Sequence, residues 1–321
     1  MAKLANFLDY YYETMRKELA PLEEMRLRIV ETLKKTIFFL IIGAIFSFIF
    51  LSKSVLSHDL FMALFVSTGG AFVLYRFLYA HYTSGFKTLF KDQIIEKLVC
   101  FIDPSLRYNR YASITSNEYQ ASRLFSKSYD RFHGDDLVSG DVDGVKLRFS
   151  DLHTEYKSKD KNGKEHWHTI FQGIFFIADF HKEFQGSTVV LPDTAEKLLG
   201  GFGHFFQGLS GKGELIKMDH PAFEKEFVVY GDDQIEARYI LSPALMERIL
   251  TLKQRSGKTL HVSFVGSKIY IAIAYKKEMF EPKIFKSLLD FKEIREYFDV
   301  LEMIVSIVGE FKLNEKIWSK K

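Results

Sequence analysis

Two apolar runs dominate the pattern of the chain. The first, Ile37 to Leu51, carries no charge and a single hydroxyl, and Thr36 and Ser52 extend it; the second runs from Leu60 to Tyr75 and continues through Arg76 to Tyr82. A helix that crosses a bilayer needs roughly 17 to 25 residues. The first run reaches that length when Lys53 on one side and Lys34 and Lys35 on the other snorkel outward, and the second is long enough unaided. Gly69 and Gly70 in its middle would let membrane helices approach closely. The pattern predicts a transmembrane helical hairpin over residues 36–82, with the bilayer as its partner. A buried helical pair in a soluble core is the competing explanation; two such runs back to back, flanked by Tyr and His as at an interface, weigh against it. A secretory signal is disfavoured, because the run starts far from Met1 and no small-x-small cleavage site follows.

A helical period also occupies residues 1–35, with apolar positions at Leu4, Phe7, Leu8, Tyr11, Tyr12, Met15, Leu19, Leu22, Met25 and Ile29 and a break expected near Pro21. This amphipathic segment packs back on the protein or lies on the membrane surface. Beyond the hairpin, Phe86, Leu89, Phe90, Ile94, Leu98 and Phe101 extend the second span into a stalk that Asp103-Pro104 ends, and Thr115 with Glu118 has the spacing of a capping box. Residues 83–133 form this stalk and connector.

From Leu137 the period changes to two, so residues 134–321 read as a domain of mostly antiparallel strands with flanking helices, and the whole chain as α+β. Val145–Lys159 and His166–Phe180 flank Asn162-Gly163, a two-residue hairpin signal. That turn sets His153 opposite Gln172 and His168 opposite Lys157. It places Leu152, Tyr156, Trp167 and Phe171 on one face, with His153, Glu155, Lys157, His166, His168 and Gln172 on the other. Ile174 to Ile177 is apolar on both parities, as in a strand buried on both faces. Ser187–Leu191, Glu214–Met218, Phe227–Tyr230 and Ile235–Leu241 are further strands, with Gly231-Asp232-Asp233 as a turn and Thr194–Leu199 as a helix. Ser242-Pro243 starts a helix that Gly257 stops. Thr259–Val265 and Lys268–Tyr275 form a hairpin about Gly266-Ser267, and a long helix from Phe291 to Phe311 closes the domain.

Charge adds orientation. Arg26, Arg28, Lys34 and Lys35 precede the first span and Arg76, Lys87, Lys91 and Lys97 follow the second, whereas the bridge sets Lys53 against Asp59; by the positive-inside rule both termini are cytoplasmic. The single cysteine, Cys100, allows no disulfide within the chain, as in a reducing compartment. The 44 Lys and Arg against 41 Asp and Glu give a formal net charge of +3, and without a concentrated basic face a nucleic-acid partner is not expected.

Candidate chemistry is sparse. His153 and Glu155, with His166 and His168, share a sheet face, yet their spacing is not that of metal ligands, so no metal is expected there. Asp232 and Asp233 with Glu236 and Arg238 could bind a cation or divide acid and base roles; an ordinary turn has the same residues. Gly200 to Gly213 fails the phosphate-loop pattern, since Lys212 is followed by Gly213 and Phe stands at position 206, and it fails the dinucleotide fingerprint too. What is left is an apolar loop whose Phe202, Phe205, Phe206 and Leu209 suit a membrane surface, a partner or the domain's own interior. No nucleophile motif and no cofactor signature is present.

Four stretches carry a family resemblance: Gly134-Asp-Asp-Leu-Val-Ser-Gly140, Phe149-Ser-Asp-Leu-His-Thr-Glu-Tyr156, Phe227 to Pro243, and Leu313-Asn-Glu-Lys-Ile-Trp318. Through them the chain resembles a bacterial family of membrane proteins, domain of unknown function 3137, often encoded beside LemA-type proteins. The resemblance implies an inner-membrane location and a LemA-like protein as partner. Combined with the absence of a reaction motif, it favours a binding or scaffolding module for a protein partner, not an enzyme. The alternative is a membrane-surface enzyme or a lipid- or small-molecule-binding domain using the Gly231 to Arg238 turn and the glycine-rich loop.

Overall fold

The N-terminal helical period becomes a single helical run: α1 (Ala2–Tyr10), a π-helical turn at Tyr11–Met15, and α2 (Arg16–Lys53). Pro21 lies inside α2 and does not break it. Its missing N–H costs one hydrogen bond, which the burial of Leu19 and Leu22 on either side outweighs. The second helix, α3 (Leu60–Phe90), starts at Asp59, whose carboxylate accepts from the Met62 amide at 2.9 Å, and runs into a π-helical turn at Lys91–Ile95. Leu4–Lys53 and Leu60–Ile102 are long and apolar enough to cross a membrane, and the most apolar window of the first is entirely unburied. α2 and α3 pack together, and the buried small residues of α3 are Ala63, Ser67 and Thr83. Gly69 and Gly70 are open instead, since a Cβ at either would touch nothing within 4 Å.

The computed structural model describes residues 2–54, 59–180, 183–193, 213–311 and 313, in two compact units: Met1–Ile95 with Glu281–Glu296, and Glu96–Phe280 with Tyr297–Lys321. In the first unit the returning segment 281–296 is fastened by charge. Glu281 pairs with Lys87 at 2.6 Å and Lys91 at 2.9 Å. Arg26 holds Glu23 through two bonds, at 2.8 and 2.7 Å, and donates to the Ile284 carbonyl at 2.8 Å; Glu23 in turn accepts from the Leu288 amide and the Ser287 hydroxyl, both at 2.9 Å. Burial alone would raise the Glu23 carboxyl, but Arg26 and these donors hold it below the usual range. Phe291 sets its ring on Phe7 and Tyr11 at 5.8 and 5.1 Å.

The second unit contains α4 (Glu96–Ile102), β1 (Arg107–Asn109), α5 (Ser116–Ala121), β2 (Arg131–Val142), β3 (Val145–Lys159), β4 (Glu165–Asp179) and β5 (Ser187–Pro192). It continues through β6 (Glu214–Ile216), α6 (Pro221–Glu224), β7 (Phe227–Gly231), α7 (Gln234–Ile240), α8 (Pro243–Ser256), β8 (Thr259–Val265) and β9 (Lys268–Ala274). The last helix, α9 (Phe291–Glu310), begins in the first unit and ends in the second. The strands form one antiparallel sheet in the order β1-β2-β3-β4-β9-β8-β5-β7-β6. The Thr115–Glu118 capping box is present, and Ser242 and Gly257 bound α8. The helix expected at Thr194–Leu199 lies outside the described residues.

Two further expectations change. The β3–β4 turn is a three-residue loop, because the Asp160 carboxylate accepts from the Asn162 and Lys164 amides, both at 2.9 Å, and Gly163 takes the left-handed conformation that closes such a loop. Lys159 therefore pairs with Glu165, and the extra residue is absorbed by a bulge between Phe171 and Thr169. Below the bulge Leu152 faces Gly173 and His153 faces Gln172 as expected; above it His168 faces Tyr156, their rings 4.9 Å apart, and Trp167 faces Lys157. Residues 235–241, expected as a strand, are helical up to Ile240 in α7, with Leu241 as the residue that ends the helix.

The Arg26 cluster yields a stability prediction. Arg26→Ala leaves Glu23 buried beside only neutral donors, so the first unit should lose about 3–5 kcal/mol, read as a lowered melting temperature of the full-length protein in detergent. An unchanged melting temperature would contradict it.

Candidate functional site

At the Gly231 turn the carboxylates are engaged with the chain itself. Asp232 accepts from the Ser187 amide and hydroxyl, both at 2.9 Å, and pairs with Arg123 at 3.1 Å. Asp233 caps α7, accepting from the Ile235 and Glu236 amides at 2.7 and 3.0 Å. Glu236 takes the Gln185 and Gly186 amides at 3.0 and 2.9 Å, and Arg238 donates to the Lys217 carbonyl at 3.3 Å. These side chains tie the start of β5 to the β7–α7 corner.

Because α7 is helical, it turns Ile235 and Tyr239 outward on one face. They are 82% and 50% exposed, and Leu215 on β6 is 49% exposed. β6 ends the sheet, and among the described residues no strand pairs its outer edge. The apolar residues expected in the glycine-rich loop, Phe202, Phe205, Phe206 and Leu209, lie outside the described residues.

His153 and Glu155 do share a face of β3. The His153 Nε2 atom lies 3.8 Å from Glu155 and 3.4 Å from the Thr169 hydroxyl, while Arg131 reaches Glu155 at 3.8 Å and stacks 3.5 Å over Trp167. His166 instead joins Asp160 at 3.2 Å, and His168 bonds Ser158 at 2.7 Å. Among the described residues no group of three or more His, Cys, Asp or Glu is placed to hold a metal ion.

His153 also lines a cleft of about 300 Å³ with His133, Gly134, Asp135, Asp151, Leu152, Gln172 and Glu278. Local backbone builds it. In β2 the pairing slips between Asp135 and Val138, with Asp136 left-handed and its carboxylate bonded to the Tyr108 hydroxyl. Gly134 is required beside the bulge, since a Cβ would stand 2.5 Å from Leu152 Cδ2 and 2.7 Å from Ser113. At the end of β9 the Gln172 carbonyl accepts from both the Tyr275 and Lys276 amides, and left-handed Lys276 turns the chain toward Glu278 and Met279. The Met279 amide then donates to Asp151 Oδ2 at 2.6 Å. Burial drives the Asp151 carboxyl up to about 8; the Met279 bond opposes this, and the negative charges of Asp135, Asp136 and Glu278 reinforce it. Sequence reasoning missed Asp135, Asp151, His133 and Glu278, although the first two stand in stretches that carry the family resemblance.

Residues 169–313 match the model of the family described as Protein of unknown function (DUF3137). The chain is also similar to the crystal structure of the mycobacterial trehalose monomycolate transport factor A, TtfA, with 10% identity over 66% of this chain and 96% of the other and a TM-score of 0.33. No curated protein matches the sequence, and neither similarity names a LemA-type protein.

The raised Asp151 carboxyl fixes the sign of a pH effect. Its preference for the protonated form stabilises the fold fully below the ordinary carboxylate pKa, and this contribution is lost as pH rises toward about 8. Between about pH 4 and 8 Asp151→Asn should therefore flatten the decline in melting temperature with pH. A variant that tracks the parent at every pH would contradict the assignment.

Proposed function

We propose that the protein is a membrane-tethered binding module, held by two spans in the bacterial inner membrane with both termini cytoplasmic, whose sheet domain recruits a protein partner. The observation that carries this is the apolar surface of Leu215, Ile235 and Tyr239 beside the β6 edge, which no strand among the described residues pairs. An unpaired strand edge offers main-chain donors and acceptors to an added strand, and alternate side chains beside it select the partner. A large aromatic such as Tyr239 is the kind of anchor that dominates binding energy. The rival enzyme reading loses its best residues, because Asp232, Asp233 and Glu236 already hold backbone amides. The family resemblance makes a LemA-type protein the first partner to test.

A photocrosslinking residue at position 235 of the full-length protein, in its native membrane, should give a discrete adduct with one other protein. Tyr239→Asp should cut that adduct by about tenfold or more. Adducts only within the chain or with lipid, or an adduct indifferent to Tyr239→Asp, would overturn the proposal.

A further inference from the structure

In the first unit, one turn of the segment 281–296 presents an apolar ring to the outside. The Lys286 amide donates to the Lys283 carbonyl at 2.9 Å, closing a turn on which Phe285 is 59% exposed, while Ile284 and Leu288 on either side of it are buried. The ring cannot be folded away, because the backbone around it is fastened at three places. Ahead of the turn Glu281 holds Lys87 and Lys91; within it the Ile284 carbonyl accepts from Arg26; after it the Ser287 hydroxyl and the Leu288 amide donate to Glu23. Leu27, 52% exposed, follows Arg26, so Leu27 and Phe285 each stand one residue from an end of the same Arg26–Ile284 hydrogen bond. Exposed apolar residues are ordinary when scattered singly. A pair held in place beside an apolar phase is not.

Helix geometry puts such a phase close by. Lys87 follows Tyr82, where the second apolar run ends, by about 7.5 Å along α3, and Arg26 precedes Lys34 by about 12 Å along α2, at about 1.5 Å per residue. The polar layer of a bilayer is about 5–7 Å thick on each side of the hydrocarbon. The turn between these two anchors therefore lies just beneath that layer, within reach of a long side chain. Charge favours the same contact. Lys283 is held by Glu293 and Glu296 at 2.8 and 2.6 Å, but the exposed Lys286 ammonium has no ion-pair partner among the described residues. A basic residue beside an aromatic one is the composition of surface elements that settle on anionic lipid.

We propose that the 283–286 turn rests on the anionic headgroups of the adjoining leaflet, with Phe285 and Leu27 among the headgroups and the Lys286 ammonium on a lipid phosphate. The turn then fixes how deep the spans sit, because the hydrogen bonds of Arg26 and Glu281 tie it to both long helices. This inference rests on the two-span reading of the apolar hairpin and is independent of any partner at the β6 edge.

The test places p-benzoylphenylalanine, which keeps an aromatic ring, at position 285 of the full-length protein in vesicles of labelled phosphatidylglycerol and phosphatidylcholine. The same photoprobe at position 39, an exposed Phe in the first apolar run, reports on the span itself. Irradiation should attach lipid at both positions. Lys286→Glu, or vesicles of phosphatidylcholine alone, should each cut the adduct at 285 by about fivefold or more and leave the adduct at 39 unchanged. Lipid at 39 with none at 285 would overturn the proposal while the spans stand. An adduct at 285 indifferent to both changes would overturn the headgroup contact. Absence of lipid at 39 would remove the two-span reading, and this inference with it.

Discussion

Strand β4 cannot be left open on either face, and the architecture of the sheet unit follows from that. Ile174, Phe175, Phe176, Ile177 and Ala178 are all buried, so the strand must lie inside the sheet with cover above and below. On one face Phe175 and Ile177 join Ile114, Tyr119, Leu124 and Tyr270, which brings the 114–125 segment over the strands. On the other face the pairing lines Ile174 with Ile273 and Leu260, and Phe176 with Ile271 and Val262. Each such side chain contributes about 1.5–3 kcal/mol on burial, and a shift of one residue would turn every one of them to the wrong side. Register is therefore strict at the centre. Irregularity collects at the β2 bulge and at the β3–β4 tip, and the cleft sits at the first of these.

The chain showed most of this in advance where a single local rule decided the outcome. Period and length marked the apolar hairpin and the stalk, the Thr115–Glu118 spacing marked a capped helix, and Gly266-Ser267 set the β8–β9 register. The β3–β4 tip was misjudged because Asp160 competes for the turn amides, a side-chain effect that Asn162-Gly163 outshines in sequence. α7 was misjudged because Ile235, Ala237, Tyr239 and Leu241 alternate like a strand, while Asp233 and Glu236, three apart, carry the helix-start signal. That error concealed the exposed apolar face, since a strand would set Ile235 and Tyr239 on the same side as Ala237 and Leu241, whereas the helical turn leaves the first two exposed and buries the others.

The cleft was illegible for a different reason. His133, Asp151, Gln172 and Glu278 come from separate strands and a crossing segment, and a left-handed Asp136 and a left-handed Lys276 bring them together. No spacing in the sequence encodes that meeting. The acidic turn was the reverse case: Asp232, Asp233 and Glu236 are prominent in sequence, and the fold uses them to hold the Gln185–Ser187 amides and to cap α7.

A membrane-tethered module that works through its β6 edge should carry a footprint there in its native setting. Hydrogen–deuterium exchange would be compared between the full-length protein in native membrane vesicles and the same protein purified in detergent. The account predicts slower exchange in the vesicles over Glu214–Ile216 and Gln234–Ile240, with β4 and β9 equally protected in both. Identical exchange over those two segments would contradict it.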